Sequence, residues 1–146
     1  MSRHLQIADA VVFALNGHSF SQALTAQRKA LPILKREDAS TLQVTVVPST
    51  FRCEMADRAR ATTYYGVDVG VQKAVAAEDL AAFDALFGLL QEIHELFRMK
   101  RLEALPVAVW DSTETIKGAE TGFAPEHLEK LRTFTGVLRM TFRVIE

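Results

Sequence analysis

The sequence predicts an α+β fold: a mostly antiparallel sheet with an N-terminal helix and one long helix packed on one face. Three observations predict it. Asp79–Leu102 carries large apolar residues at Phe83, Leu86, Leu90, Ile93 and Phe97, alternating steps of three and four that place them on one helical face. Ala61–Lys73 alternates with a two-residue period, the signature of a half-buried strand. Further alternating runs precede and follow that helix, and consecutive strands joined by short turns are mostly antiparallel.

The chain has 146 residues, a length suited to a single domain, 1–146. Hydrophobic residues make up 49% and charged residues 24%, a globular rather than a disordered composition. A net charge of −1 without a basic stripe gives no general attraction to nucleic acid. The single cysteine, Cys53, excludes an intrachain disulfide framework. Ile7–Leu15 is short and is interrupted by Asp9, which argues against a signal peptide. No run approaches the roughly 18 apolar residues of a membrane span.

Taken in order, Ser2 is expected to cap a first helix running to about Asn16. Ile7, Ala8, Val11, Val12 and Leu15 recur along it at helical spacing. Gly17 follows as a stop that tolerates a left-handed backbone. Residues 20–34 alternate weakly and predict an edge strand interrupted by Pro32. Lys35, Arg36, Glu37 and Asp38 predict a charged turn. Thr41–Val47 predicts a strand with Leu42, Val44 and Val46 on one face, ended by Pro48. Phe51–Met55 predicts a short return strand, and residues 55–60 a polar turn.

In Ala61–Lys73, Thr63, Tyr65, Val67, Val69 and Val71 share one face. Tyr64, Gly66, Asp68, Gly70 and Gln72 share the other. A slip of one residue would bury Asp68 and expose the valines, so the register should be firm. Two glycines on the second face suggest close approach by another backbone, or a twist. The long helix comes next, with Glu78 and Asp79 at its positive end and Arg98, Lys100 and Arg101 at its negative end. Leu80, Phe87, Leu89 and Leu96 should widen its apolar face. Leu105–Trp110 predicts a strand with Val107 and Val109 on one face, its tail reaching about Ile116. An exposed loop, a short helix from Pro125, and a last strand over Thr133–Ile145 complete the chain. Phe134, Leu138, Met140, Phe142 and Val144 share one face of that last strand.

The search for chemistry returns little. His94-Glu95 opens like the zinc-protease pattern HExxH, but Arg98 stands where the second histidine belongs. His4, His18, His94 and His127 show no paired ligand spacing, so surface or boundary imidazoles are the simpler reading. Cys53 has no base named by the sequence, which favours a structural thiol over a nucleophile. Gly66-Val-Asp-Val-Gly lies inside a strand and lacks the Gly-Lys-Ser/Thr of a phosphate loop. Glu54, Asp57 and Asp68 could meet across strands to hold a metal, as in a small metal-dependent nuclease or hydrolase. The interleaved Arg52, Arg58 and Arg60 favour ion pairing instead. Asp111-Ser-Thr-Glu-Thr lacks calcium-loop spacing. No cofactor and no metal ligand is assigned, and a non-enzymatic, structural role is expected.

Four segments together resemble the tail terminator (tail completion or neck) proteins of long-tailed bacteriophages and prophages. They are Ile7–Ala10, Thr41–Pro48, Tyr65–Lys73 and the run from Ala124 to Leu138. The resemblance covers most of the chain and carries no catalytic signature. It implies an α+β subunit that assembles with copies of itself into a ring, expected to be a hexamer. The ring caps the major tail tube protein's tube, stops its growth and docks the head-tail connector. DNA passes through the lumen without specific binding, and no membrane is involved. The expected location is the virion tail, after assembly in the host cytoplasm. Another neck or tube structural protein is the alternative within the same setting. Segments 20–34, 52–60 and 111–122 are the candidate ring contacts. Arg52, Arg58, Arg60 and Lys117 are the candidate intersubunit or tube-contacting residues.

Overall fold

A computed structural model describes residues 2–30, 41–75, 79–115 and 133–146. The described residues form α1 (Arg3–Asn16), β1 (Ala26–Arg28), β2 (Gln43–Met55), β3 (Ala61–Ala74), α2 (Leu80–Phe97), β4 (Arg101–Leu102), β5 (Leu105–Thr115) and β6 (Thr133–Ile145). The strands make one sheet in the order β1-β2-β3-β6-β5-β4. Only β1 joins in parallel, to β2. The other pairings are antiparallel, so the expected α+β fold is present with a mixed sheet.

The first helix forms as its sequence demands. The Ser2 side chain accepts a hydrogen bond from Leu5 N at 3.1 Å, satisfying one of the amides that a helix start leaves open. Ile7, Ala8, Val11 and Leu15 are fully buried. Gly17 closes the helix with φ −89°, so the expected left-handed stop is absent. Asn16 then does a second job. Its side chain donates to Ala26 O at 3.2 Å and accepts from Ala26 N at 2.7 Å, tying α1 to the start of β1.

One core joins α1 and α2 to the same face of the sheet. It includes Val44 and Val46 of β2, Val67, Val69 and Val71 of β3, and Phe134, Met140, Phe142 and Val144 of β6. From α2 come Leu86, Leu89, Leu90, Ile93 and Phe97. Phe83 and Phe87 set their rings edge-on to Phe134, with centroids 5.6 and 5.4 Å apart, a favoured aromatic geometry. Leu80, expected to widen this face, is 70% exposed. The shorter α1 touches every strand from β1 to β5, whereas α2 lies chiefly along β6. The core is thus shared between the helices rather than organised around the long one alone.

Several boundaries differ from expectation for identifiable reasons. The helix of residues 79–102 ends at Phe97, because Met99 takes φ 58° and reverses the chain. Arg101 and Leu102 leave the helix to form β4. Of residues 20–30, only Ala26–Arg28 form a strand. Pro48 does not end its strand, and Phe51–Met55 is no return strand: β2 runs on through a bulge between Pro48 and Phe51. A bulge inserts an extra residue without breaking the pairing. Val107 on β5 is 48% exposed, while Ala108 is fully buried, so the valine face of that strand points outward. The rest of the expected edge strand with Pro32, the turn at Lys35–Asp38, Ile116, the loop beyond it and the helix from Pro125 lie outside the described residues.

Candidate interaction surface

Among the described residues the least covered feature is the arm made by the far ends of β2 and β3. Residues 50–60 are all exposed. The arm's turn is built by Asp57, whose Oδ1 accepts from the backbone N–H groups of Ala59 and Arg60 at 2.8 and 3.0 Å. Its Oδ2 accepts from Arg60 Nε at 2.8 Å. The Ala59 amide first, then the Arg60 side chain, hold this carboxyl below the ordinary aspartate value, because each bond favours the ionised form.

Arg52, Arg58 and Arg60 all sit on this arm, as the sequence-level grouping expects. Arg52 lies 4.2 Å above the Tyr64 ring and pairs with Glu54. Tyr64 Oη donates to the same carboxylate at 3.3 Å. Arg60 is committed to Asp57. Arg58 is exposed, and no ion pair to it occurs among the described residues. Lys117 lies outside the described residues. The arm's root and β5 line one open groove of about 380 Å³, which brings Arg52 and Tyr64 together with Asp111, Ser112 and Thr141. The groove thus places Arg52 of segment 52–60 beside Asp111 and Ser112 of segment 111–122 within one chain.

The sheet face away from the helices grades from closed to open. At its closed end Thr45, Asp68, Gln72 and Thr135 are buried. The central charge there is compensated. Arg139 Nε and Nη2 donate to Asp68 Oδ1 and Oδ2 at 2.7 and 3.0 Å, a two-pronged fit that suits a planar guanidinium. Hydrogen bonding to Asp68 raises the Arg139 pKa above its ordinary value, against the opposing effect of burial. Asp68 is thus buried in the native register, not only in a slipped one, because a cation waits opposite it. Sequence reasoning missed this pair. Its signal was an Asp and an Arg on the polar faces of two alternating strands, usable only once β3 and β6 are known neighbours.

The proposed carboxylate trio is not brought together. Glu54 faces Arg52 and Tyr64, Asp57 binds its own turn, and Asp68 binds Arg139. Among the described residues no three His, Cys, Asp or Glu side chains converge as a metal site would need. Cys53 is exposed and accepts a hydrogen bond from Thr63 Oγ1 at 3.3 Å. His4 Nε2 lies 2.8 Å from Gly66 O, and His18 packs edge-on to Phe20. His94 borders a cavity of about 290 Å³ with Phe87, Leu90, Thr113 and Leu138. Its Nδ1 is buried without a hydrogen-bond partner among the described residues. His127 lies outside the described residues.

No helix among the described residues is long and apolar enough to cross a membrane. No family model and no curated protein matches the chain.

Proposed function

We propose that this chain is a tail terminator subunit of a long-tailed bacteriophage or prophage. Copies of it form a ring that caps the finished tail tube, stops its growth and presents a docking surface to the head connector. The observation that carries this reading is the division of the sheet into two faces. Both helices cover one face, and the other is polar with its buried charge neutralised by Asp68 and Arg139. Towards the arm that face opens, and the exposed Asp111 and Ser112 share one groove with Tyr64 and Thr141. This open part suits the wall of a channel through which DNA slides, because it offers neither a hydrophobic trap nor a row of phosphate-binding cations. The exposed arm with Arg52, Arg58 and Arg60 extends from the same sheet and gives each subunit a projection toward a neighbour or the tube.

The test is negative-stain microscopy and light scattering of the purified protein with and without tail tubes. Rings seated on tube ends, and tubes that stop growing once capped, are the expected result. A strict monomer that never binds tube ends overturns the proposal. Another neck or tube protein differs in its docking partner: a terminator binds the end of a completed tube and does not copolymerise along it.

A further inference from the structure

The arm exposes a row of backbone groups whose direction follows from the ladder. Lys29 N donates to Val46 O at 2.9 Å, so the Val46 backbone faces β1. Two residues on, Pro48 faces the same way and has no N–H to give, and β1 pairs with β2 no further than Val46. The bulge then shifts the phase by one residue. From the other side, Ala61 exchanges hydrogen bonds of 2.7 and 3.0 Å with Glu146. The alternation of an antiparallel ladder therefore turns Thr62 and Tyr64 towards their β2 partners Glu54 and Arg52. The N–H and C=O groups of Phe51, Cys53 and Met55 point away from the sheet, and no described residue pairs with them. A bare edge of this kind is a template for another strand.

The side chains along this edge read the same in both directions. In an antiparallel pairing centred on Cys53, Arg52 stands opposite Glu54 of the second copy, and Glu54 opposite Arg52. Phe51 stands opposite Met55, and Cys53 opposite itself. On one face this gives two opposite-charge pairs. On the other it gives a continuous row of Phe, Cys and Met, in which Phe51 and Met55 are 64% and 80% exposed in the single chain. We propose that the edge Phe51–Met55 pairs with the same edge of a second copy of this chain, about a two-fold axis at Cys53. Self-complementarity is what a two-fold interface requires, and the charge pattern selects this register over a slip, which would set Arg52 or Glu54 against an apolar residue or its own kind. The pairing does not rest on the tail reading. A ring that uses the arm has to open it, so the dimer is the covered form of the free subunit.

Sedimentation equilibrium over a range of concentrations tests this, with circular dichroism as a check on folding. The wild-type chain is expected to dimerise. Arg52→Glu and Glu54→Arg each turn both symmetric pairs into like-charge contacts and should raise the dissociation constant about tenfold. The double variant Arg52→Glu/Glu54→Arg restores complementarity and should recover the dimer. Cys53→Pro removes an outward N–H while sparing the bonds to β3, and should abolish association in a folded chain. A wild-type monomer at millimolar concentration overturns the proposal. So does a dimer or larger oligomer that is indifferent to the single charge reversals, or one that the double variant fails to restore.

Discussion

Asp68 on β3 and Arg139 on β6 stand directly opposite each other in the ladder, and two hydrogen bonds of 2.7 and 3.0 Å join their side chains. Val47 and Glu114 flank them on β2 and β5, so one row crosses four strands. The Asp68 side chain is only 7% exposed, whereas that of Arg139 keeps 26%. The carboxylate therefore depends on its partner more than the guanidinium does. Arg139→Met should destabilise the fold by about 3 kcal/mol, since it strands a buried charge. Asp68→Asn should cost less, because the guanidinium retains some water. Urea unfolding of the two variants orders them, and equal losses would remove the asymmetry argued from exposure.

Gly66 supports the bulge that lets β2 continue past Pro48. A Cβ at this position would collide with the Thr50 side chain and approach Ser49 Oγ to 3.0 Å. Gly66→Ala should therefore destabilise by about 1–3 kcal/mol, as overpacking does. Adding Thr50→Ala removes the colliding hydroxyl and should return most of that loss. Thermal unfolding of the single and double variants measures the coupling, and additive effects would show that the two sites do not meet.

Phe134 joins α2 to the sheet. It is fully buried and receives the edges or faces of Phe83 and Phe87. Truncation to alanine removes a whole ring from a packed interior, and Phe134→Ala should cost about 3–5 kcal/mol. The equivalent change at Phe51, on the exposed arm, should cost under about 1 kcal/mol. Denaturant midpoints of the two variants compare a core aromatic with a surface one in the same chain.

The arm's turn should respond to acid. The Asp57 carboxyl ionises below the ordinary value of 3.8, held there by the Ala59 amide and then the Arg60 side chain. A depressed folded value means that the stabilisation is complete above about 3.8 and is lost as pH falls through the folded value. Hydrogen exchange at the Ala59 and Arg60 amides should accelerate below that pH relative to a core amide such as Val69. Asp57→Ala, which removes the acceptor, should show fast exchange at all pH values, with no acid step.

The legible parts of the fold were those in which local pattern and tertiary environment agree. Thr133–Ile145 and Ala61–Ala74 alternate along their whole length, and both form strands close to the expected bounds. Ser2 announces its helix start through a side chain that can cap nothing else. The β2 strand was misread at Pro48 because proline there is compatible with the sheet only if its nitrogen lies on the outer edge, and edge position is a property of the assembled sheet. Which way the Val107 face points was not legible, because β-branched residues favour strands on either side. On the arm, sequence shows Arg52, Arg58 and Arg60 close together along the chain. It could not show that Arg60 and Arg52 already have carboxylate partners while Arg58 has none among the described residues, since that depends on the turn built by Asp57.

The end of α2 supplies the last prediction. The apolar stripe and the basic residues Arg98, Lys100 and Arg101 suit a helix continuing to Leu102, yet Met99 adopts φ 58° and the chain turns back into β4. Two hydrogen bonds hold the reversal: Arg98 N donates to His94 O at 3.0 Å, and Lys100 N to Phe97 O at 3.1 Å. The cause is downstream. Leu102 is 2% exposed in the core, and Trp110 N donates to Lys100 O at 2.9 Å, so strand pairing outweighs the helical preference of residues 98–101. The conformation costs methionine about 1 kcal/mol through its Cβ, and the side chain, 74% exposed, recovers little by packing. Met99→Gly should therefore stabilise the protein by about 0.5–1 kcal/mol, the gain in the folded state being partly offset by the greater freedom of glycine in the unfolded chain. Met99→Val should destabilise it, because a β-branched residue is excluded from this region more strongly. Equilibrium unfolding with both variants decides the matter: a glycine variant less stable than the wild type would mean that the Met99 side chain contributes more than its backbone costs.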